Sequence, residues 1–313
     1  MKFLFKNILT KLYNKVVLYN NPFYFYGIAK DDYSISGQLV TLKRINLSVN
    51  RFTEGSIIKG YPWALIIHES INGKFSIKNE NILLQIGDLK FQINSAEELL
   101  IIYEVFIQGV YKYHCLKETV FVDVGMNSAI TTLFYAQNPL VKKIYSFELF
   151  NPTFLLGKQN IKLNENYAHK IEALNYGLSD KNFQSTLDYS LSKKGRMGLK
   201  GLPYDEKFFD VKKENVFVKD IKDIFDSIIS ESGDMDITVK MDCEGEEFNL
   251  IHRLSESRLL EKITILMIEW HYKNPSEIEQ QLRAFDFHIF SQTLSSMDSG
   301  MIYASKRKTE VNQ

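Results

Sequence analysis

A chain of 313 residues, 45% hydrophobic and 24% charged, is long and apolar enough for one large domain or two ordinary ones, each with a proper core. Its 38 basic and 38 acidic side chains cancel, which removes the general electrostatic argument for a nucleic-acid partner, and none is expected. Two cysteines, Cys115 and Cys243, without zinc spacing, exclude a disulfide framework and point to a reduced, cytoplasmic compartment. No apolar run is long enough to cross a bilayer, and Lys6, Lys11 and Lys15 interrupt every candidate signal core. Residues 3 to 19 mix Phe3, Leu4, Phe5, Ile8, Leu9, Leu12, Val16 and Val17 with lysines and no acid. They read as a basic amphipathic helix that packs on its own protein, with peripheral contact to an anionic membrane surface through residues 1–19 as the alternative.

Four short extended runs follow, Ala64 to His68, Lys74 to Ile77, Ile82 to Ile86 and Lys90 to Ile93, with Asn72-Gly73 and Gly87-Asp88 as turn signals. They predict a small antiparallel meander. Ser95 opens a capping box closed by Glu98, and Leu99, Ile102, Tyr103, Phe106 and Ile107 form a helical stripe. Tyr111 and Tyr113 come just before the next strand and are candidates for the border of a cleft, with partly buried packing aromatics as the commoner alternative.

The stretch from Thr119 to Leu133 organises what remains. Val120 to Val122 is an unbroken apolar run, the mark of a strand buried on both faces. Asp123 ends it, Gly125 permits a reversal, and Asn127 or Ser128 is placed to cap a helix from Ala129. Such a turn aims backbone N–H groups at the carboxyl edge of a sheet, where doubly wound folds hold ligands. A dinucleotide fingerprint needs glycine where Asn127 and Ile130 stand, so the pyrophosphate glycine is missing. The second strand, Lys143 to Glu148, ends in an acid about 20 residues past the turn, the usual place for a carboxylate that accepts ribose hydroxyls. A ribose without a pyrophosphate fits S-adenosylmethionine.

Asn151-Pro152 starts a helix to about Asn164, and Ile171 to Asn175 is the third strand. Gly177, Ser179 and Asp180 read as the turn after it and as a rim for an adenine ring. Leu191 to Leu202, basic and glycine-rich, is a candidate lid, with a solvated loop as the alternative. Val216 to Val218 is an extra strand and Ile221 to Ile229 a helix. The fourth strand, Ile237 to Asp242, carries Lys240-Met241-Asp242-Cys243-Glu244-Gly245-Glu246-Glu247, in which an extended backbone would turn Lys240, Asp242 and Glu244 to one side. A helix from Glu246 to Leu254 leads to the fifth strand, Ile263 to Glu269, followed by Trp270 and His271. A helix near Glu277 to Phe285 and an antiparallel hairpin, Phe287 to Phe290 with Met301 to Ala304, close the chain.

This set of segments resembles the FkbM family of S-adenosylmethionine-dependent methyltransferases over residues 119 to about 305 and, more weakly, over Gly87 to Tyr111. Phe-Val-Asp-Val-Gly-Met-Asn at 121 to 127, Tyr-Ser-Phe-Glu at 145 to 148, the Lys-x-Asp-x-Glu-Gly-x-Glu pattern at 240 to 247 and Met-Ile-Glu-Trp-His at 267 to 271 carry it. The chain departs at Ala129, where the family usually has glycine, and at Leu149, where it usually has proline. The resemblance implies a doubly wound, mostly parallel class I methyltransferase sheet at residues 118–305 with a C-terminal antiparallel hairpin. An N-terminal helix and β-meander region at residues 1–117 precedes it, and a polar tail at residues 306–313 follows. It implies S-adenosylmethionine as cofactor, with Asp123, Gly125 and Asn127 around its methionine part and Glu148 on its ribose. The reaction it implies is O-methylation of a hydroxyl on a sugar, glycan or secondary metabolite. His271 is then a candidate general base with Asp242 as its rival, while Glu244 and Glu269 orient the acceptor or, with Asp242, hold a hard divalent ion. Against these stand a structural charge network of Lys240, Asp242, Glu244 and Glu247, a non-catalytic module that keeps the fold, and a dinucleotide oxidoreductase, which the missing glycine disfavours.

Overall fold

The computed structural model describes residues 21–200, 210–293 and 298–306. They belong to two compact units, Met1–Val110 and Tyr111–Gln313. The basic segment 3 to 19 and the tail after residue 306 lie outside the described residues.

In the first unit, β1 (Tyr33–Ser36), β2 (Leu39–Leu42) and β3 (Leu47–Asn50) form an antiparallel sheet that sequence reading passed over. Each strand has only four residues, so the alternation that buries Val40, Leu42, Leu47 and Val49 is too short to stand out. After α1 (Gly55–Lys59), residues 61 to 71 are not extended but form α2 (Tyr61–Ile71). Pro62 suits its first turn, and Tyr61, Ala64 and Ile67, spaced by three, are the buried stripe. Asn72 closes this helix in the left-handed region at φ 54° instead of turning a hairpin. The rest of the meander is present as β4 (Lys74–Lys78), β5 (Asn81–Ile86) and β6 (Leu89–Ile93), paired in that order. The capping box on α3 (Ala96–Ile102) forms as expected, Ser95 N donating to Glu98 Oε2 at 3.0 Å, and a π-helical stretch Tyr103–Gln108 continues the helix.

The second unit runs β7 (Thr119–Val124), α4 (Ile130–Ala136), β8 (Val141–Phe147), α5 (Asn151–Lys162), α6 (Glu165–Ala168), β9 (Ile171–Leu174), β10 (Gly177–Ser179), β11 (Phe183–Tyr189), β12 (Lys212–Asp220), α7 (Ile221–Ser232), β13 (Asp236–Met241), α8 (Glu247–Glu256), β14 (Ile265–His271), α9 (Ser276–Ala284), β15 (Phe287–Thr293) and β16 (Ser299–Lys306). Seven strands make one sheet in the order β15-β16-β14-β13-β7-β8-β9, parallel except for β16, which is antiparallel to both neighbours. This is the class I methyltransferase fold. Val120, Val122 and Val124 join the core built with α7, α8 and α9, while Phe121 stacks on Tyr135 of α4 at 3.9 Å on the other face. The chain leaves β7 toward β8 on one side and returns to β13 on the other, so the switch point that opens a crevice lies at the carboxyl ends of β7 and β13.

Two local expectations change. Gly177 to Ser179 is not a turn but the strand β10, held by parallel pairing to Val218, Lys219 and Asp220 of β12. Neither Asn127 nor Ser128 caps α4. Its N-cap is Ala129 in the left-handed region at φ 63°, with no side-chain cap, because the Asn127 amide oxygen is taken by Ser128 N at 2.8 Å. Glycine would hold that conformation without strain, which is the physical meaning of the departure at Ala129.

Candidate active site

Register sets the first part of the site. Lys240 of β13 lies directly beside Asp123 of β7, and in a parallel pair the two side chains share a face. Lys240 Nζ is 3.2 Å from Asp123 Oδ1 and 3.6 Å from Asp242 Oδ2, and donates to Gly125 O at 2.6 Å. Asp123 also accepts from Thr132 Oγ1 at 2.7 Å and is fully buried. Burial works against the ammonium, but Asp123 and Asp242 outweigh it and hold Lys240 above its usual value, so it is a cation. Asp123 is therefore part of the strand-to-strand brace and is not among the residues lining the cleft. Gly125, at φ 87°, packs so closely on the Asp242 carbonyl oxygen that no Cβ fits between them.

The turn's N–H groups point inward. Gly125 N and Met126 N donate to Phe147 O at 3.0 and 2.8 Å, and Asn127 N donates to Glu148 Oε2 at 2.8 Å. With Ser128 N on Asn127, this turn keeps no N–H for a pyrophosphate. Glu148 also accepts Phe150 N at 3.0 Å. A carboxylate has about four acceptor positions, so two remain. Burial, only partly offset by these two N–H groups, pushes Glu148 up to about 7. Glu148, Gly125, Asn127, Gly177, Asp242 and Glu244 line one cleft, roofed by Lys194, Gly195 and Met197 to Leu199. Asp180, expected at its rim, is not among the lining residues; it accepts from Ser179 Oγ at 3.2 Å. Gly198 lies so close to the chain at 243 and 244 that a Cβ there would be 2.7 Å from Glu244 Cβ. The cavity is about 60 Å³, smaller than the several hundred Å³ of a typical small-molecule site.

The second part lies where β13 and β14 end. Lys240 and Asp242 share a side as expected, but Glu244 does not extend that row: the chain turns at Glu244 (φ 54°) and Gly245 (φ 97°). The turn carries Glu244 to β14, and Asp242, Glu244 and His271 each bring one ligand atom within 4.8 Å of the others. His271 Nδ1 lies 3.2 Å from Oε1 of the fully buried Glu247, and Nε2 lies 4.0 Å from Glu244 Oε2 and 3.8 Å from Glu269 Oε1. Burial opposes charge on the ring, but the Glu247 contact and the Asp242 and Glu244 charges outweigh it and push His271 up to about 10. In these surroundings the imidazole is a cation at neutral pH and holds its proton. Burial pushes Glu244 up to about 7, and burial together with the Asp242 charge does the same for Glu269. Tyr111 OH donates to Glu269 Oε2 at 2.6 Å and Asp242 Oδ2 at 3.3 Å, so Tyr111 is at the site; Tyr113 lies elsewhere, in a groove with Met267, Phe290 and Tyr303. Sequence reading missed Tyr272, which donates to Glu244 Oε2 at 2.9 Å, and the pairing of Glu247 with His271. Glu247 had a usable signal, being one helical turn after Cys243 in the same motif; Tyr272 had none.

No family model and no curated protein matches the chain. Among solved structures it is similar to the methyltransferase FkbM of Methylobacillus flagellatus, at 14% identity over 64% of this chain and 47% of that one, with a TM-score of 0.43. The N-terminal domain of human METTL16, in complex with SAH, is 11% identical over 91% and 94% of the two chains, TM-score 0.38. A Streptococcus pneumoniae protein described as a proposed tRNA methyltransferase is 11% identical over 66% and 72%, TM-score 0.37. The chain thus spans less than half the length of the FkbM structure, and at 14% identity the FkbM resemblance remains a resemblance. Likeness this loose assigns no activity. It does correct one expectation, that nucleic acid is excluded. Chains similar to this one include a protein described as acting on tRNA, and a net charge of zero says nothing about where on the surface the charges lie.

Proposed function

We propose that this protein is an S-adenosylmethionine-dependent methyltransferase acting on a hydroxyl group. One observation carries the reading: a buried carboxylate with two free acceptor positions, Glu148, and a glycine turn whose N–H groups are all used within the chain line the same cleft as Asp242 and Glu244. The free acceptor positions on Glu148 fit ribose hydroxyls, and the turn has no N–H left for a pyrophosphate, which favours S-adenosylmethionine over a dinucleotide. Glu148 would take the ribose hydroxyls, with Gly125 and Asn127 beside the methionine part. When bound, the cofactor supplies an electrophilic methyl group on a positively charged sulfur. The residues at the ends of β13 and β14 hold the acceptor oxygen in line with it, the main source of rate in such a displacement. Asp242 and Glu269, linked through the Tyr111 hydroxyl, each keep one carboxylate oxygen without a hydrogen bond among the described residues, and these are the proton acceptors of this reading. His271 supplies the compensating positive charge.

The test is calorimetric titration of the full chain with S-adenosylmethionine beside Glu148→Ala, followed by transfer of labelled methyl to a panel of sugars, small alcohols and RNA. Binding weakened at least tenfold by the substitution supports the site. Absence of binding to the unsubstituted protein overturns the reading in favour of a non-catalytic module with this fold.

A further inference from the structure

We propose that Asp242, Glu244 and His271 form a binding site for a divalent first-row metal ion, with Mn²⁺ the best match. One ligand atom of each lies within 4.8 Å of the others, so the three converge on a space of the size of one ion's shell. Two features separate this group from an ordinary surface cluster of acids. His271 is nine-tenths buried, and its Nε2 has no hydrogen-bonding partner among the described residues, with carboxylate oxygens of Glu269 and Glu244 at 3.8 and 4.0 Å. Its other nitrogen is held by Glu247 at 3.2 Å, and Glu247 is fully buried and itself fixed by Cys243 N at 2.9 Å. A buried carboxylate on the far nitrogen is how proteins orient a metal-binding imidazole and raise its basicity. Supports on the remaining carboxylates are similar: Tyr272 holds Glu244 through Oε2 and Tyr111 holds Asp242 through Oδ2, leaving Oε1 and Oδ1 without hydrogen bonds among the described residues.

The ligand set selects the ion. One imidazole and two carboxylates are too nitrogen-rich for calcium and lack the thiolates of structural zinc, whereas manganese accepts both oxygen and imidazole donors. Binding at Nε2 requires that nitrogen to be without a proton, so the ion occupies the place a proton would otherwise take. Because Asp242 and Glu244 also line the cleft, an ion here would sit where an acceptor hydroxyl enters and polarise it, leaving Glu269 to take the proton. That consequence rests on the methyltransferase reading; the binding site itself does not.

The experiment uses the full chain stripped with a chelator and titrated with Mn²⁺ without S-adenosylmethionine, following free Mn²⁺ by electron spin resonance. One ion per chain is expected, with nitrogen coupling in the spin-echo spectrum from His271. Asp242→Asn and His271→Gln should each weaken binding at least tenfold. Glu247→Gln, which touches no ion, should weaken it about tenfold, in the range found for such supporting residues. Glu172→Gln, an exposed acid on β9, should leave it unchanged. Circular dichroism confirms that each variant is folded. No stoichiometric binding to the unsubstituted chain, absence of nitrogen coupling, or equal affinity in the Asp242 and His271 variants would overturn the proposal. Cofactor binding measured separately shows whether the methyltransferase reading stands regardless.

Discussion

Among the described residues, Lys240→Met removes the only ammonium paired with the fully buried Asp123 while keeping most of the stem's volume. Among the described residues Asp123 then keeps Thr132 as its hydrogen-bond donor, and a carboxylate left uncompensated in the core costs about 3–5 kcal/mol. The chain can avoid this by protonating Asp123. If that carboxyl stays neutral in the folded variant and has its ordinary value of about 3.9 when unfolded, the cost is about 4 kcal/mol at pH 7 but about 1.5 at pH 5. The sign follows from linkage: an acid raised in the folded state contributes most below its unfolded value and loses stability as pH rises. Urea unfolding of both proteins at pH 5 and pH 7 measures the difference, and Asp123→Asn combined with Lys240→Met should abolish the pH slope and recover part of the loss. A Lys240→Met variant that loses less than about 1 kcal/mol at pH 7, or the same amount at both pH values, would refute the brace as described.

Glu148 makes cofactor affinity depend on pH. Held near 7 by burial, it is about one-tenth ionised at pH 6 and nine-tenths at pH 8, so S-adenosylmethionine should bind several-fold to tenfold tighter at pH 8, and Glu148→Gln should remove that dependence; calorimetry at the two pH values decides. Gly125→Ala forces a Cβ against the Asp242 carbonyl and strains a φ of 87°, so a loss above about 2 kcal/mol is expected in thermal or urea unfolding. Gly198→Ala places its Cβ 2.7 Å from Glu244 Cβ and 2.9 Å from Cys243 O, which should lift the segment over the cleft; faster tryptic cleavage after Lys194 or Arg196 than in the unsubstituted protein is the readout.

Much of the second unit was legible in its residues because a strand buried on both faces admits little but an apolar run. Val120 to Val122 therefore announces β7, and the helix start at Asn151-Pro152 is local chemistry that needs no partner to be recognised. The first unit was less legible for the same physical reason in reverse: four-residue strands and an eleven-residue helix with three buried positions carry too few periods to tell 2.0 from 3.6.

By itself the sequence determined which residues carry charge and chemistry, and the order of strand and helix that forces a mostly parallel sheet. Only the tertiary structure decided what each charged residue faces. Lys240 and Asp123, 117 positions apart, become neighbours through strand register. Glu244 meets His271 through a left-handed turn, not along an extended row. Asp123 is a buried ion-pair partner, and Glu247, in α8, holds the ring at the end of β14. Side-chain period and turn chemistry are local, and a chain states them residue by residue; the electrostatics of a site depend on distances that exist only after distant segments have packed.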